Sequence, residues 1–192
     1  MRNEQIRQVA LAVALVLTPI LCAGALRAQA AEQPIAKEQN PPGDIPDSQV
    51  FVTYRSPLGF SIKAPEGWGR TERPDGVRFA DKYGTLDVAV VVWSEPLDIA
   101  SVRGGEAKTL EQAGRAVSIV GITAVKLPAG DAVLIKYTSN SEPNAVTGKQ
   151  IRLEHDRYLI AKGGKLATID FSAPAGADNV DQWRLMSRAF SW

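Results

Sequence analysis

The chain has 192 residues, with 22 Lys and Arg against 21 Asp and Glu and a formal net charge of +1. That length suits one domain with appendages, since domains usually run to about 100–200 residues. The hydrophobic fraction of 45% and charged fraction of 22% are those of an ordinary globular chain, and the near-neutral charge leaves no basic footprint for nucleic acid.

The N-terminus reads as a separate object. "MRNEQIRQ" places Arg2 and Arg7 against Glu4, and residues 9–26, "VALAVALVLTPILCAGAL", are continuously apolar or small. Ala28 and Ala30 follow in the A-x-A spacing that signal peptidase reads. Residues 1–30 are therefore expected to be a secretory signal cut after Ala30. The apolar run approaches a minimal membrane span of about 20 residues, so an uncleaved anchor is the alternative. Cys22 is the only cysteine and follows Leu21, where a lipoprotein signal needs a small residue; it is read as incidental. Residues 31–49 contain Pro34, Pro41, Pro42 and Pro46 and little that a core could use, which predicts a linker. The folded domain is expected over 50–192.

Strand signals dominate from there. "FVTYRS" alternates weakly, whereas "GFSIKA" puts Phe60, Ile62 and Ala64 on one face before Pro65 stops it. "GVRFAD" aligns Val77 with Phe79. "GTLDVAVVVW" is apolar on both faces and predicts a central strand covered on both sides. Helical spacing then links Leu110, Ala113 or Gly114, and Val117, with Gly104 and Gly105 separating a short opening turn from the main helix.

"SIVGITAVKLPAGDAVLIKYTS" reads as two strands turned at residues 128–131, with Val133, Ile135 and Tyr137 on one face. A polar loop, residues 140–148, precedes a hairpin turned at Gly163 and Gly164. Its first strand changes parity between Ile151 and Leu153 and Tyr158 and Ile160, which predicts a bulge near residues 154–157. The closing helix is expected to be capped by Asp178 and to bury Val180, Trp183, Met186 or Ser187, and Phe190. Strands, helix, strands, helix make an α+β domain with a mainly antiparallel β-sheet flanked by helices.

Chemistry is sparse. His155 is the only histidine and sits in "EHD" with Glu154 and Asp156. Carboxylates and imidazole bind divalent metals, but neighbours on a strand face opposite ways. The expectation for His155 is a solvated strand or bulge residue. A Ser-His-Asp triad would have to use His155, and no serine has a recognisable setting for it. G-x-S-x-G, S-x-x-K, P-loop and G-x-G-x-x-G patterns do not occur. No cofactor is expected, and whether a metal binds is not decided by these residues. Trp93, Trp183 and Phe190 read as core. Trp68, held between Gly67 and Gly69, is either packed on the sheet edge or turned toward a partner.

"YRSPLGFSIKAPEGWGR", "GVRFADKYGTLDVAVVV" and "YLIAKGGKLATIDFSAPAGADNVDQW" with "SRAFSW" occur in an order that resembles PsbP-type domains over residues 50–192. The resemblance implies a PsbP-like α/β/α sandwich, shared with Mog-type proteins and many bacterial envelope proteins, and members that usually act without catalysis. It also implies an extrinsic photosystem II-type role if the host is photosynthetic. The chain departs from the photosynthetic pattern where it has "GDAVLIKYTS" in place of a Gly-Tyr-Tyr-Glu-type strand start. The expected function is an exported, non-enzymatic domain, periplasmic or extracellular and membrane-tethered if the signal is uncleaved. Its expected work is binding a cell-envelope protein or assisting a complex, with Trp68, Asn140, Glu142, Asn144 and His155 as the partner surface. The alternative is a periplasmic carrier of a small ligand or a divalent metal.

Overall fold

The computed structural model describes residues 32–192. The expected signal segment 1–30, with Cys22, lies outside the described residues.

The elements follow in chain order. β1 (Phe51–Arg55), β2 (Ser61–Pro65), β3 (Gly69–Arg73), β4 (Gly76–Ala80) and β5 (Thr85–Val92) precede α1 (Ile99–Gly104) and α2 (Glu106–Gln112). β6 (Ser118–Leu127), β7 (Gly130–Asn140), β8 (Arg152–Lys162) and β9 (Lys165–Pro174) follow, and α3 (Val180–Arg188) closes the chain. Seven strands form one antiparallel sheet in the order β3-β4-β5-β9-β8-β7-β6, and β1 pairs with β2 separately. The α+β class is as expected.

The two sheet faces carry different cores. On one face Val77, Phe79, Leu86, Val88, Tyr158, Ile160, Ile169 and Phe171 pack against the β1–β2 hairpin and α3, through Phe60, Ile62, Trp183, Met186 and Phe190. Aromatic stacking runs through this layer, with Phe171 over Trp183 at 5.7 Å and Phe60 over Phe190 at 5.7 Å. Ser61 and Ser191 exchange backbone hydrogen bonds of 2.8 and 2.9 Å, which fasten the C-terminus to β2. On the other face the short helices α1 and α2 cover Val133, Ile135, Tyr137, Leu159 and Leu166.

Those two short helices cover only part of that face. The one-sided cover explains β5, whose Leu86 and Val88 are buried while Val91 is 46% exposed.

Trp68 packs on the first core. A Cβ placed on Gly84 would lie 2.8 Å from Trp68 Cη2, so Gly84 is the floor on which the indole rests. Gly67, at φ +87°, turns the chain so that the ring can reach it. Gly84→Ala is expected to displace the indole at a cost of about 1–3 kcal/mol, the usual range for overpacking. Tryptophan emission together with a denaturant melt would read it; an unchanged spectrum and midpoint would reject the packing role.

Several local expectations differ from what forms. β8 pairs with both neighbours without a slip, so there is no bulge at residues 154–157; the register break lies in β6, between Ile119 and Gly121. The change of parity in β8 is real and has another cause. Tyr158 and Ile160 point to the first core, whereas Leu153, His155 and Arg157 point to the partly covered face. The helical spacing does not carry on to Val117, because α2 ends at Gln112 and Gly114, Arg115 and Ala116 take positive φ. Asn179, not Asp178, caps α3.

Residues 32–49 are irregular, as their prolines require, but they do not hang free. Ile45 is buried, and Glu38 pairs with Lys149 at 2.7 Å. A proline-rich composition forbids a strand or helix; it does not forbid docking through side chains on the body.

Candidate functional site

The uncovered part of the second face forms a cleft of about 510 Å³ between β4, β5, β9, β8, β7, α2 and the loop after β7. Alternation on three adjacent strands supplies its floor: Tyr137 and Ser139 from β7, His155 and Arg157 from β8, and Asp170 and Ser172 from β9. In β9 the intervening Ile169 and Phe171 serve the first core, while in β7 and β8 the opposite face carries Lys136 paired with Asp156.

Asp170 is the hub. Its carboxylate accepts from Tyr137 Oη at 2.7 Å and from Arg157 Nε at 2.5 Å, and it is ion-paired with a second Arg157 nitrogen. His155 Nδ1 lies 3.3 Å from the other oxygen. Burial alone would raise the Asp170 pKa, but the His155 hydrogen bond and the Arg157 charge outweigh it and hold the carboxyl below the usual carboxylate range. Burial and the adjacent Asp170 charge push the Tyr137 hydroxyl well up. Arg157 also pairs with Glu106 of α2, which ties the helix to the floor.

His155 stacks on Tyr137 with centroids 4.1 Å apart and rings 9° from parallel. With Nδ1–H donating to Asp170, Nε2 accepts from the Ser139 hydroxyl, 2.9 Å away. Ser139, His155 and Asp170 thus form a hydrogen-bonded chain in the order found in acyl-transfer triads. This corrects two expectations. His155 is not solvated, since its side chain is only 12% exposed, and a serine does have a setting beside it. The signal was available as diagonal placement on paired strands, but pairing is a tertiary fact.

An acyl-transfer site needs donors aimed at a developing oxyanion. The backbone N–H groups after Ser139 are already committed, Asn140 N–H to the Arg115 carbonyl at 2.7 Å and Ser141 N–H to the Ile151 carbonyl at 2.8 Å. Arg115 itself donates to the Ser141 carbonyl and pairs with Glu142. At the other end, Arg73 takes Asp87 in a two-pronged contact of 2.8 and 2.5 Å.

The five residues expected to form a partner surface do not share one. Trp68 lies under the first core's edge. Asn140 is 2% exposed and fully hydrogen-bonded. Asn144 shapes its own loop by accepting from the Val146 and Thr147 N–H groups at 3.0 Å. Glu142 is widely exposed, at 81% of its side chain, Asn144 is exposed as well, and Glu142 shares the cleft lining with Asn140 and His155. His155 lies on the cleft floor. Glu154 and Asp156 point to the opposite face from His155, so "EHD" does not converge, and no metal-holding group of three ligands occurs among the described residues.

A second, apolar cavity of about 570 Å³ lies beside α1 and α2, walled by Trp93, Pro96, Leu97, Val102, Leu159 and Leu166.

No protein-family model matches the chain, and no curated protein matches its sequence. Among solved structures, cyanobacterial PsbP (CyanoP) from Synechocystis sp. PCC 6803 is similar with a TM-score of 0.55 at 17% identity, covering 77% of this chain and 96% of that one. LpqN of Mycobacterium tuberculosis, described as involved in cell envelope biogenesis, aligns at a TM-score of 0.45 and 16% identity, covering 69% and 82%. A putative regulator from Pseudomonas aeruginosa aligns at 0.44 and 10% identity, covering 70% and 91%. The chain therefore has a PsbP-like α+β fold.

Proposed function

We propose that this chain is an exported, non-catalytic binding domain that serves as an accessory factor to a protein of the cell envelope. The leader-like pattern of residues 1–30 supports export. The observation that carries the binding reading is the state of the polar cleft. Each of its buried charges is held by a fixed partner, and the donors flanking Ser139 are spent on backbone carbonyls. Such a surface is preorganised for recognition, because its side chains are already ordered before a partner arrives.

Photo-crosslinking in cells tests this. A crosslinking amino acid at Glu142 or Val146, both exposed, is expected to trap one envelope protein. The same label at buried Ile169 is expected to trap none. If the purified chain instead hydrolyses p-nitrophenyl acyl esters and Ser139→Ala abolishes that activity, the non-catalytic reading fails.

The apolar cavity supports a second reading, a carrier of a small apolar ligand, because its volume falls in the range of about 300–1,000 Å³ typical of ligand sites. A ligand of the native state raises thermal stability. A screen of apolar ligands that leaves the melting temperature flat counts against the carrier.

A further inference from the structure

Two asparagines hold the N-terminal segment in the same way. Asn140 ends β7 and Asn179 caps α3, and they are 2% and 1% exposed. The Asn140 amide accepts from the Ile35 N–H at 3.0 Å and donates to the Gln33 carbonyl at 2.8 Å. The Asn179 amide accepts from the Ile45 N–H at 2.7 Å and donates to the Gly43 carbonyl at 3.0 Å. Each side chain reads one backbone N–H and the carbonyl two residues before it. One residue of a parallel strand does the same through its own C=O and N–H, and main-chain reading of this kind is how extended peptides are bound.

Side chains of the segment add selectivity. Glu32 accepts from Asn140 Nδ2 and Gln150 Nε2, Glu38 meets Lys149, and Asp44 accepts from the Asp178 N–H. Ile45 is buried. Gly43 has φ +114°, and a Cβ there would come within 3.0 Å of Pro174 and Tyr83, so glycine is required two residues before the buried aliphatic.

Apart from Ile45, residues 32–49 are half-buried or exposed. A segment held by polar contacts and one apolar anchor opens below the cost of global unfolding. Opening strips hydrogen-bond partners from two buried amides, which is unfavourable unless another segment supplies them.

We propose that Asn140 and Asn179 form a docking groove for an extended acidic polypeptide segment with a Gly-x-aliphatic step, filled in this structure by the chain's own residues 32–45. This rests on the protein-binding reading and names its partner's chemistry. The tethered segment competes at an effective concentration on the order of mM, so it acts as a displaceable stand-in for the partner.

The test uses the full chain carrying Ile35→Pro and Ile45→Pro, which removes the two N–H groups that are read and leaves both asparagines. The probe is a fluorescein-labelled synthetic peptide of residues 32–49. It is expected to bind the variant about tenfold or more tighter than the unaltered chain, whose groove is filled at mM effective concentration. A peptide bearing the same two prolines is expected not to bind. Absence of peptide binding to a folded variant overturns the proposal, as does equal binding of the proline peptide. If the variant does not fold, hydrogen exchange on the unaltered chain decides. Ile35 and Ile45 amides exchanging well before those of β8 and β9 support a releasable segment, and exchange only through global unfolding overturns it. The failures are separable: a groove that binds peptide while no envelope protein is trapped in cells sinks the functional reading alone. A trapped partner with a groove that never opens sinks this one alone.

Discussion

Asp170→Ala is expected to lower unfolding stability by about 3–5 kcal/mol, the usual cost of breaking a buried charge pair from one side. The substitution leaves the Arg157 guanidinium with Glu106 alone and strips the acceptor from the Tyr137 hydroxyl and His155 Nδ1. For a chain of this length that is a drop of roughly 10 °C in melting temperature. Glu142→Ala, at an exposed ion pair, is expected to cost under about 1 kcal/mol.

The deficit carries a pH signature. The folded-state pKa of Asp170 is depressed, so its stabilisation is complete above the unfolded value of about 3.9 and is lost as pH falls through the folded value. Urea melts at pH 7 and at successively lower pH below 4 should therefore show the two proteins converging in acid. A gap that stays constant across that range would mean that Asp170 acts through packing and not through charge.

Phe171→Ala, one residue along β9, is expected to cost a similar amount, about 3–5 kcal/mol, by a different route. Phe171 is wholly buried on the opposite face, stacked on Trp183 and edge-on to Tyr158 at 6.1 Å. Its loss leaves a cavity that the surrounding strands cannot close. The deficit should be independent of pH, and Phe171→Leu should recover part of it by refilling the space. Trp183 emission is expected to change in Phe171→Ala and not in Asp170→Ala. A loss below about 1 kcal/mol would mean that the layer between the sheet and α3 collapses onto the gap.

These adjacent residues show why one side of the sheet was legible and the other was not. In β9 strict alternation places Ala167, Ile169 and Phe171 on the apolar face and Thr168, Asp170 and Ser172 on the cleft face. In β8 the same alternation looked broken, because Leu153, His155 and Arg157 face a polar cleft and so carry no apolar stripe. A bulge was the local explanation; a half-covered sheet is the tertiary one. β3 went unread for a related reason: "GRTER" has no apolar face and is an edge strand defined by its partner β4.

Residue order by itself determined the type of the strands and helices apart from β3, the turns at residues 128–131 and at Gly163 and Gly164, the aromatic core around Trp183 and Phe190, and the α+β class. Periodicity and turn chemistry are local, so they survive in one dimension. The Ser139–His155–Asp170 chain, the Arg157–Glu106 tie and the paired grip of Asn140 and Asn179 on residues 32–45 were decided only when three strands and two ends of the domain came together. Hydrogen bonds between residues as far as 136 positions apart leave no periodic trace in the sequence, and a side-chain amide that stands in for a strand looks, in one dimension, like any other asparagine.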